Sequence, residues 1–148
     1  MHIEEEKHGD HANMKENDCL KGELDIENNE QIIFSCEIDK LNSNDIFSGR
    51  ILVITNIKLY NLERRFFSAH KPITINRSYE IRDIERLILN EKNTKFMVHW
   101  KKDSDILYKN QNKEDPVFIY KILKALNYSY TKLLRQNLPI YTATKPLK

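Results

Sequence analysis

Arg50-Ile51-Leu52-Val53-Ile54-Thr55-Asn56, followed by Lys58-Leu59-Tyr60-Asn61-Leu62, is the stretch on which the fold turns. A nearly continuous apolar run of strand length meets a polar break at Asn56, and a second apolar segment runs back. This is the pattern of a β-hairpin with a tight turn. Upstream, Ile32-Ile33-Phe34-Ser35-Cys36-Glu37-Ile38-Asp39 alternates in part and places Ile32, Phe34, Cys36 and Ile38 on one face. Asn42-Ser43-Asn44-Asp45 marks a turn after it, and Ser48-Gly49 a second break. Downstream, strands are expected at Ile73 to Ile81, Glu85 to Leu89, Lys95 to Trp100 and Asp105 to Lys109. Seven short strands at hairpin spacing indicate a sandwich or barrel.

The period then changes. Asp115-Pro116 is a helix start, with Asp as N-cap and Pro pre-set for the first helical position. Ile119, Leu123, Leu126, Tyr130 and Leu133 recur at spacings of four and three, so a helix of roughly twenty residues carries one apolar stripe. Beyond Asn137 the segment Leu138-Pro139-Ile140-Tyr141 reads as extended. A mainly β chain with one C-terminal α-helix follows: a seven-stranded barrel or sandwich whose open end the helix caps.

At 148 residues and 40% hydrophobic content, the chain suits one domain with a core. The net charge of +2 conceals an asymmetry. Residues 1–30 hold ten acids and three lysines, a net of −7, and residues 31–148 hold 21 basic and 12 acidic residues, a net of +9. The acidic segment has few apolar residues, so it reads as mostly disordered, with the folded domain spanning 31–148. A basic body with an acidic tail suggests an anionic partner, or a tail that screens the body until that partner arrives. No apolar run is long enough to span a bilayer, and the first thirty residues lack the apolar stretch of a signal peptide. Two cysteines, Cys19 and Cys36, make no disulfide framework, which suits a reducing, cytoplasmic setting. His2, His8 and His11 lack the scaffold of a metal site and read as solvated.

The order of seven strands and one amphipathic helix resembles the pleckstrin-homology architecture. Arg50 to Asn56 with Leu59-Tyr60-Asn61-Leu62 is similar to the second and third strands of the first tail-homology domain of class I myosins, a pleckstrin-homology variant. Arg77-Ser78-Tyr79-Glu80-Ile81-Arg82-Asp83-Ile84 resembles that domain's basic strand leading into an "Asp-Ile" corner. Phe96-Met97-Val98-His99-Trp100 fits its next core strand, and Leu138-Pro139-Ile140-Tyr141 its post-helix extension. The likeness spans about Gln31 to Tyr141.

Many members of this superfamily bind phosphoinositide headgroups between the first two strands, which implies such a site here. Clustered phosphates call for fixed cationic donors, and Arg supplies bidentate ones. The superfamily pattern asks for a basic residue late in the first strand, then basic–any–Arg entering the second. Lys40 and Arg50 meet the outer positions, but Ser48 stands at the middle one. Lys40, Arg50, Lys58, Arg64, Arg65, Lys71 and Arg77 are the candidate lipid-binding residues. With Asp39, Asp45 and Glu63 they give residues 39–77 a net of +4. At about 1 kcal/mol per charge near an anionic leaflet, that is only about millimolar affinity. Ile46 and Phe47 at the first loop, and Phe66 and Phe67 after Arg64-Arg65, are candidate insertion residues that would add to it.

The expected function is therefore a non-catalytic adaptor that binds anionic phospholipid, phosphoinositide or phosphatidic acid, at the periphery of membranes or the cytoskeleton. The alternative is a protein-binding scaffold that uses the groove between strand five and the helix, by strand addition. No enzyme is expected: three glycines provide no phosphate-cradling loop, and no nucleophile–base pair or metal spacing is visible. His99, on a strand between Val98 and Trp100, reads as a half-buried structural residue. No cofactor, metal or nucleic-acid partner is expected, since Lys92, Lys95, Lys101 and Lys102 come without an aromatic RNA-binding signature.

Overall fold

Two asparagines and a threonine set the tight turns of the strand-rich region. Asn42 Oδ1 accepts from Asn44 N at 2.9 Å and Ile46 N at 3.1 Å, and Asp45 adopts φ 60° beside it. Thr55 Oγ1 accepts from Ile57 N at 3.1 Å and Lys58 N at 2.8 Å. Asn90 Oδ1 accepts from Thr94 N and Lys95 N at 2.8 and 2.9 Å, with Asn93 at φ 56°. Short polar side chains bond their own backbone and tolerate the left-handed region, which is why these residues punctuate the strands.

The computed structural model describes residues 8–65, 72–111 and 117–147. The strands are β1 (Ile32–Leu41), β2 (Phe47–Thr55), β3 (Lys58–Arg64), β4 (Ile73–Glu80), β5 (Ile84–Leu89), β6 (Lys95–Trp100), β7 (Ile106–Lys109) and β8 (Ile140–Thr142). Helices are α1 (Asp18–Lys21) and α2 (Val117–Leu134). All eight strands form one sheet in the order β4-β3-β2-β1-β7-β6-β5-β8. The sheet turns at β1, where Asp39 and Lys40, near its end, pair with Lys109 and Tyr108 of β7. It does not close: β4 and β8 are its two edges. The expected barrel is thus an open, folded sheet with one strand more than seven, because the extension after the helix pairs parallel to β5. Ser48-Gly49, read as a break, lies inside β2, which begins at Phe47.

The apolar stripe of α2 packs as its spacing dictates. Ile119, Ile122, Leu123, Ala125, Leu126 and Tyr130 are buried, whereas Leu133 is half-buried. They join Phe34, Cys36, Ile38, Leu52, Ile54, Leu59, Phe96, Val98 and Trp100 in one core. Ser129 Oγ donates to Thr55 O at 2.8 Å and so fixes the helix against the β2–β3 turn. The expected capping pair Asp115-Pro116 lies outside the described residues.

Residues 8–30 depart from the expected disorder. Ala12, Met14 and Leu20 form a second core with Ile32, Ile51, Val53, Tyr60, Leu62 and Ile73, on the opposite face of the β1–β4 half. Leu20 is fully buried. Upstream of α1 the chain lies along β1: His11 N donates to Ser35 O at 2.9 Å, and Ser35 N to Gly9 O at 3.2 Å. The Asp10 carboxylate accepts from Met14 N and Lys15 N, both at 2.8 Å, and from the Ser35 hydroxyl. The physical reason lies in β2 and β3, which are apolar on both faces. The helix covers one face, and burying the other offsets the entropy of ordering the segment.

Candidate functional site

Cross-strand register decides which cations meet. Lys40 stands opposite Ser48, and Arg50 opposite Ile38, in the β1–β2 ladder. Since alternate residues share a face, Lys40, Ser48 and Arg50 lie on the face that carries Ile38 and Cys36, at the loop end of that face. Burial first, and the Arg50 charge second, push the Lys40 ammonium below its ordinary pKa. This is the signature of two cations held close in a partly desolvated position.

Three arginines are already ion-paired. Arg50 Nη1 lies 3.4 Å from Glu63 Oε1, and Arg64 Nη2 lies 3.1 Å from Glu37 Oε1. Arg77 bonds Asp103 of the β6–β7 connection and lies 4.6 Å over the ring of Tyr79. Among the described residues, no carboxylate lies within ion-pairing distance of Lys40, Lys58 or Arg65. The six described sequence candidates therefore do not converge on one rim. Lys40 and Arg50 are brought together, and Arg64 reaches the same region: Glu37, Gly49, Arg50, Glu63, Arg64 and Gln111 line a cleft of about 350 Å³. Lys58 sits at the far end of β3, lining a different cleft with Arg82 and Lys132. Lys71, Phe66 and Phe67 lie outside the described residues.

The two remaining insertion candidates separate. Ile46 is 60% exposed at the tip of the β1–β2 loop. Phe47 is half-buried, with the Lys109 ammonium 5.1 Å and the Lys95 ammonium 5.6 Å from its ring centre.

The groove expected to take a peptide beside strand five is occupied by the chain itself. Leu87, Ile88 and Leu89 of β5 pair with Ile140, Tyr141 and Thr142 of β8. Leu87 N also donates to Pro139 O at 2.9 Å, and Ala143 N to Leu89 O at 2.8 Å. A partner strand at β5 would have to displace this ladder, so the strand-addition reading is corrected in that respect.

His99 is held from both sides, its Nε2 2.9 Å from Glu85 and its Nδ1 2.5 Å from Asp105. It ties the start of β5 to the β6–β7 connection, the structural role its strand position suggests. Among the described residues, no group of three or more His, Cys, Asp and Glu is arranged to hold a metal ion. No described helix is long and apolar enough to cross a membrane.

The sheet topology and capping helix have close counterparts. The hSac2 domain of the human phosphoinositide phosphatase Sac2 superposes with a TM-score of 0.62 at 12% identity, covering 88% of each chain. The Slm1 PH domain, solved with phosphoserine, gives 0.53 at 14% identity over 68% of this chain and 97% of that one. The N-terminal PH domain of human ARAP2 gives 0.50 at 15% identity over 80% and 92%. At such identities the likeness speaks to the fold, which is pleckstrin-homology-like. No curated protein matches the sequence. The family model for the unconventional myosin tail, described as actin- and lipid-binding, matches residues 6–144, and the chain belongs to that family.

Proposed function

We propose that this domain is a non-catalytic membrane-targeting module that binds anionic phospholipid headgroups weakly through Lys40, Ser48 and Arg50. The observation that carries the reading is the Lys40–Arg50 pair. Two cations on one face, one of them with its ammonium disfavoured by burial and by the other, are relieved by an incoming anion. The family description as lipid-binding and the phosphoserine complex of the Slm1 PH domain point the same way.

Affinity is set by how few cations are available. Three of the sequence candidates carry cis carboxylates, so the direct electrostatic attraction falls short of the roughly 4 kcal/mol that the charge count gives. Ile46 supplies the apolar part, contributing about 1.5–3 kcal/mol if fully buried among acyl chains. Peripheral association with the membrane follows from such a contact, and the family's description as actin-binding supports a place at the cytoskeleton.

Vesicle co-sedimentation tests the proposal. Binding to vesicles of about 30% anionic lipid is expected to fall at least tenfold in the Lys40→Ala/Arg50→Ala double variant, as two charge contacts are removed. Equal binding of the native protein to neutral and anionic vesicles would overturn it.

A further inference from the structure

Helix α2 contains no acidic residue, and its outer face carries its charge in one line. Lys121, Lys124, Tyr128 and Lys132 follow at spacings of three and four, so they share one narrow stripe. The lysines are exposed, Tyr128 is half-buried, and the stripe lies on the side of the helix away from Ile119, Leu126 and Tyr130. At about 1.5 Å per residue it is roughly 16 Å long. Two of the ammonium groups rest on rings of the same helix, Lys121 6.0 Å from the centre of Phe118 and Lys132 5.5 Å from that of Tyr128. Among the described residues, no carboxylate lies within ion-pairing distance of the three lysines. Lys121 and Lys124, one turn apart, therefore repel each other without relief from this chain.

Both ends of the stripe add to it. At the C-terminal end Lys132 lines a cleft of about 760 Å³ that passes over the β2–β3 turn, where Lys58 and Arg82 bring two further cations. Asp25 and Glu80 stand in the same cleft, but the Asp25 carboxylate is engaged by Asn28. At the N-terminal end Val117 is 56% and Tyr120 50% exposed.

The stripe is also remote from the proposed lipid face. Ser129 docks on Thr55, and Phe118 packs on Phe34, whose ladder partner is Ile54. Helix α2 thus covers the end of β2 far from Phe47, roughly 26 Å away at about 3.3 Å per residue. A membrane held at Lys40 and Arg50 leaves the stripe uncovered.

We infer that the outer face of α2 is a docking surface for a partner protein, held through an acidic segment that lies along the helix. Its carboxylates meet Lys121, Lys124 and Lys132, and its apolar side chains meet Val117 and Tyr120. Charge complementarity selects an acidic occupant. The apolar pair favours a polypeptide over a nucleic acid, whose phosphates offer Val117 nothing. The surface differs from the strand-addition groove at β5, which β8 fills.

The test is fluorescence anisotropy of a labelled peptide of four Glu-Glu-Leu repeats with the full chain, without lipid, against a Gln-Gln-Leu control. The acidic peptide is expected to bind at least about tenfold tighter than the control. The Lys121→Ala/Lys124→Ala/Lys132→Ala variant is expected to lose about tenfold, the effect of three exposed ion pairs. Its melting temperature and its binding to anionic vesicles should match those of the native protein.

Equal binding of the two peptides, or of native and variant, overturns the proposal. So does single-stranded DNA of similar length that binds as tightly as the acidic peptide. If the variant instead loses vesicle binding, the stripe is a membrane contact and no docking surface. Glu4, Glu5 and Glu6 precede His8, which lines a cleft with Lys124 and Lys132. If Glu4→Gln/Glu5→Gln/Glu6→Gln raises peptide affinity tenfold, the chain's own glutamates hold the stripe and the outside partner is overturned. A native chain that binds the acidic peptide but no anionic vesicle upholds the docking surface and fails the lipid reading alone.

Discussion

The Tyr60 hydroxyl lies 2.9 Å from both carboxylate oxygens of Glu30, and through this contact β3 holds the N-terminal segment to the sheet. Glu30 is only 5% exposed. Its remaining capacity is taken by Thr55 Oγ1, which donates at 2.7 Å, and by Asp25 N at 2.8 Å. A buried carboxylate is tolerated when several donors surround it, and removing one exposes the desolvation cost. Tyr60→Phe is therefore expected to lower unfolding free energy by about 1–3 kcal/mol in denaturant titration. Hydrogen exchange should rise over residues 20–30 before the rest of the sheet. A neutral effect on both would show that this contact does not hold the segment.

The segment is a structural part of the domain rather than a removable screen. Leu20 fills the second core against Ile51, Val53, Tyr60 and Leu62. Leu20→Ala is expected to cost about 2–5 kcal/mol, the range for a fully buried leucine. Deleting residues 1–30 would uncover that apolar face, so the expected product is an aggregation-prone chain. A monomeric, cooperatively melting deletion protein, seen by light scattering and calorimetry, would contradict this.

How much of this was legible differs from element to element. The β2–β3 hairpin and the helix stripe were legible because periods of 2 and 3.6 are local properties. The order of elements then sufficed for a pleckstrin-homology fold. Lys40 and Arg50 were suggested by the superfamily pattern and not by the turn, because Ser48-Gly49 reads as a break whereas β2 runs through it from Phe47. The ion pairs were not legible, because Arg64 meets Glu37 and Arg77 meets Asp103 across 27 and 26 residues of chain. A charge count over a linear segment cannot see such partners. The docking of residues 8–30 did leave a signal. Four consecutive apolar residues from Ile51 to Ile54 mean that both faces of β2 are buried, and one helix covers only one of them.

Alkaline stability follows from the buried hydroxyls and thiol. Burial pushes Cys36 above its ordinary 9.0. Tyr60, by burial and then by its bond to Glu30, and Tyr108, by burial, rise above 10.0. The unfolded chain loses these protons at the ordinary values while the folded chain keeps them. Their stabilising contribution is thus complete below about pH 9 and declines as pH rises beyond it. Lys40, with its pKa lowered, contributes with the opposite sign and only from one group. Melting temperature is expected to fall between about pH 9 and about pH 11. Tyr108→Phe should show a shallower slope over that range, though a lower starting stability, since Tyr108 donates to Asn61 Oδ1 at 2.5 Å. A flat profile in the native protein would refute the assignment.

Ser48 offers the sharpest probe of the binding face. It stands opposite Lys40 and two residues before Arg50, and Asn42 Nδ2 donates to its hydroxyl at 3.1 Å. Ser48→Lys would set a third cation between two that already disfavour each other. Like charges directly opposite in a ladder are destabilising, by up to about 1 kcal/mol. The melting temperature should therefore drop slightly. On anionic vesicles the same charge gains about 1 kcal/mol, so affinity should rise about fivefold. The gain should disappear at about 1 M salt, where the screening length is about 3 Å. Stability and affinity thus move in opposite directions from one substitution. That pairing is expected only if the anion sits on the face shared by Lys40, Ser48 and Arg50. A drop in stability with no gain in vesicle binding would place the lipid contact elsewhere on the domain.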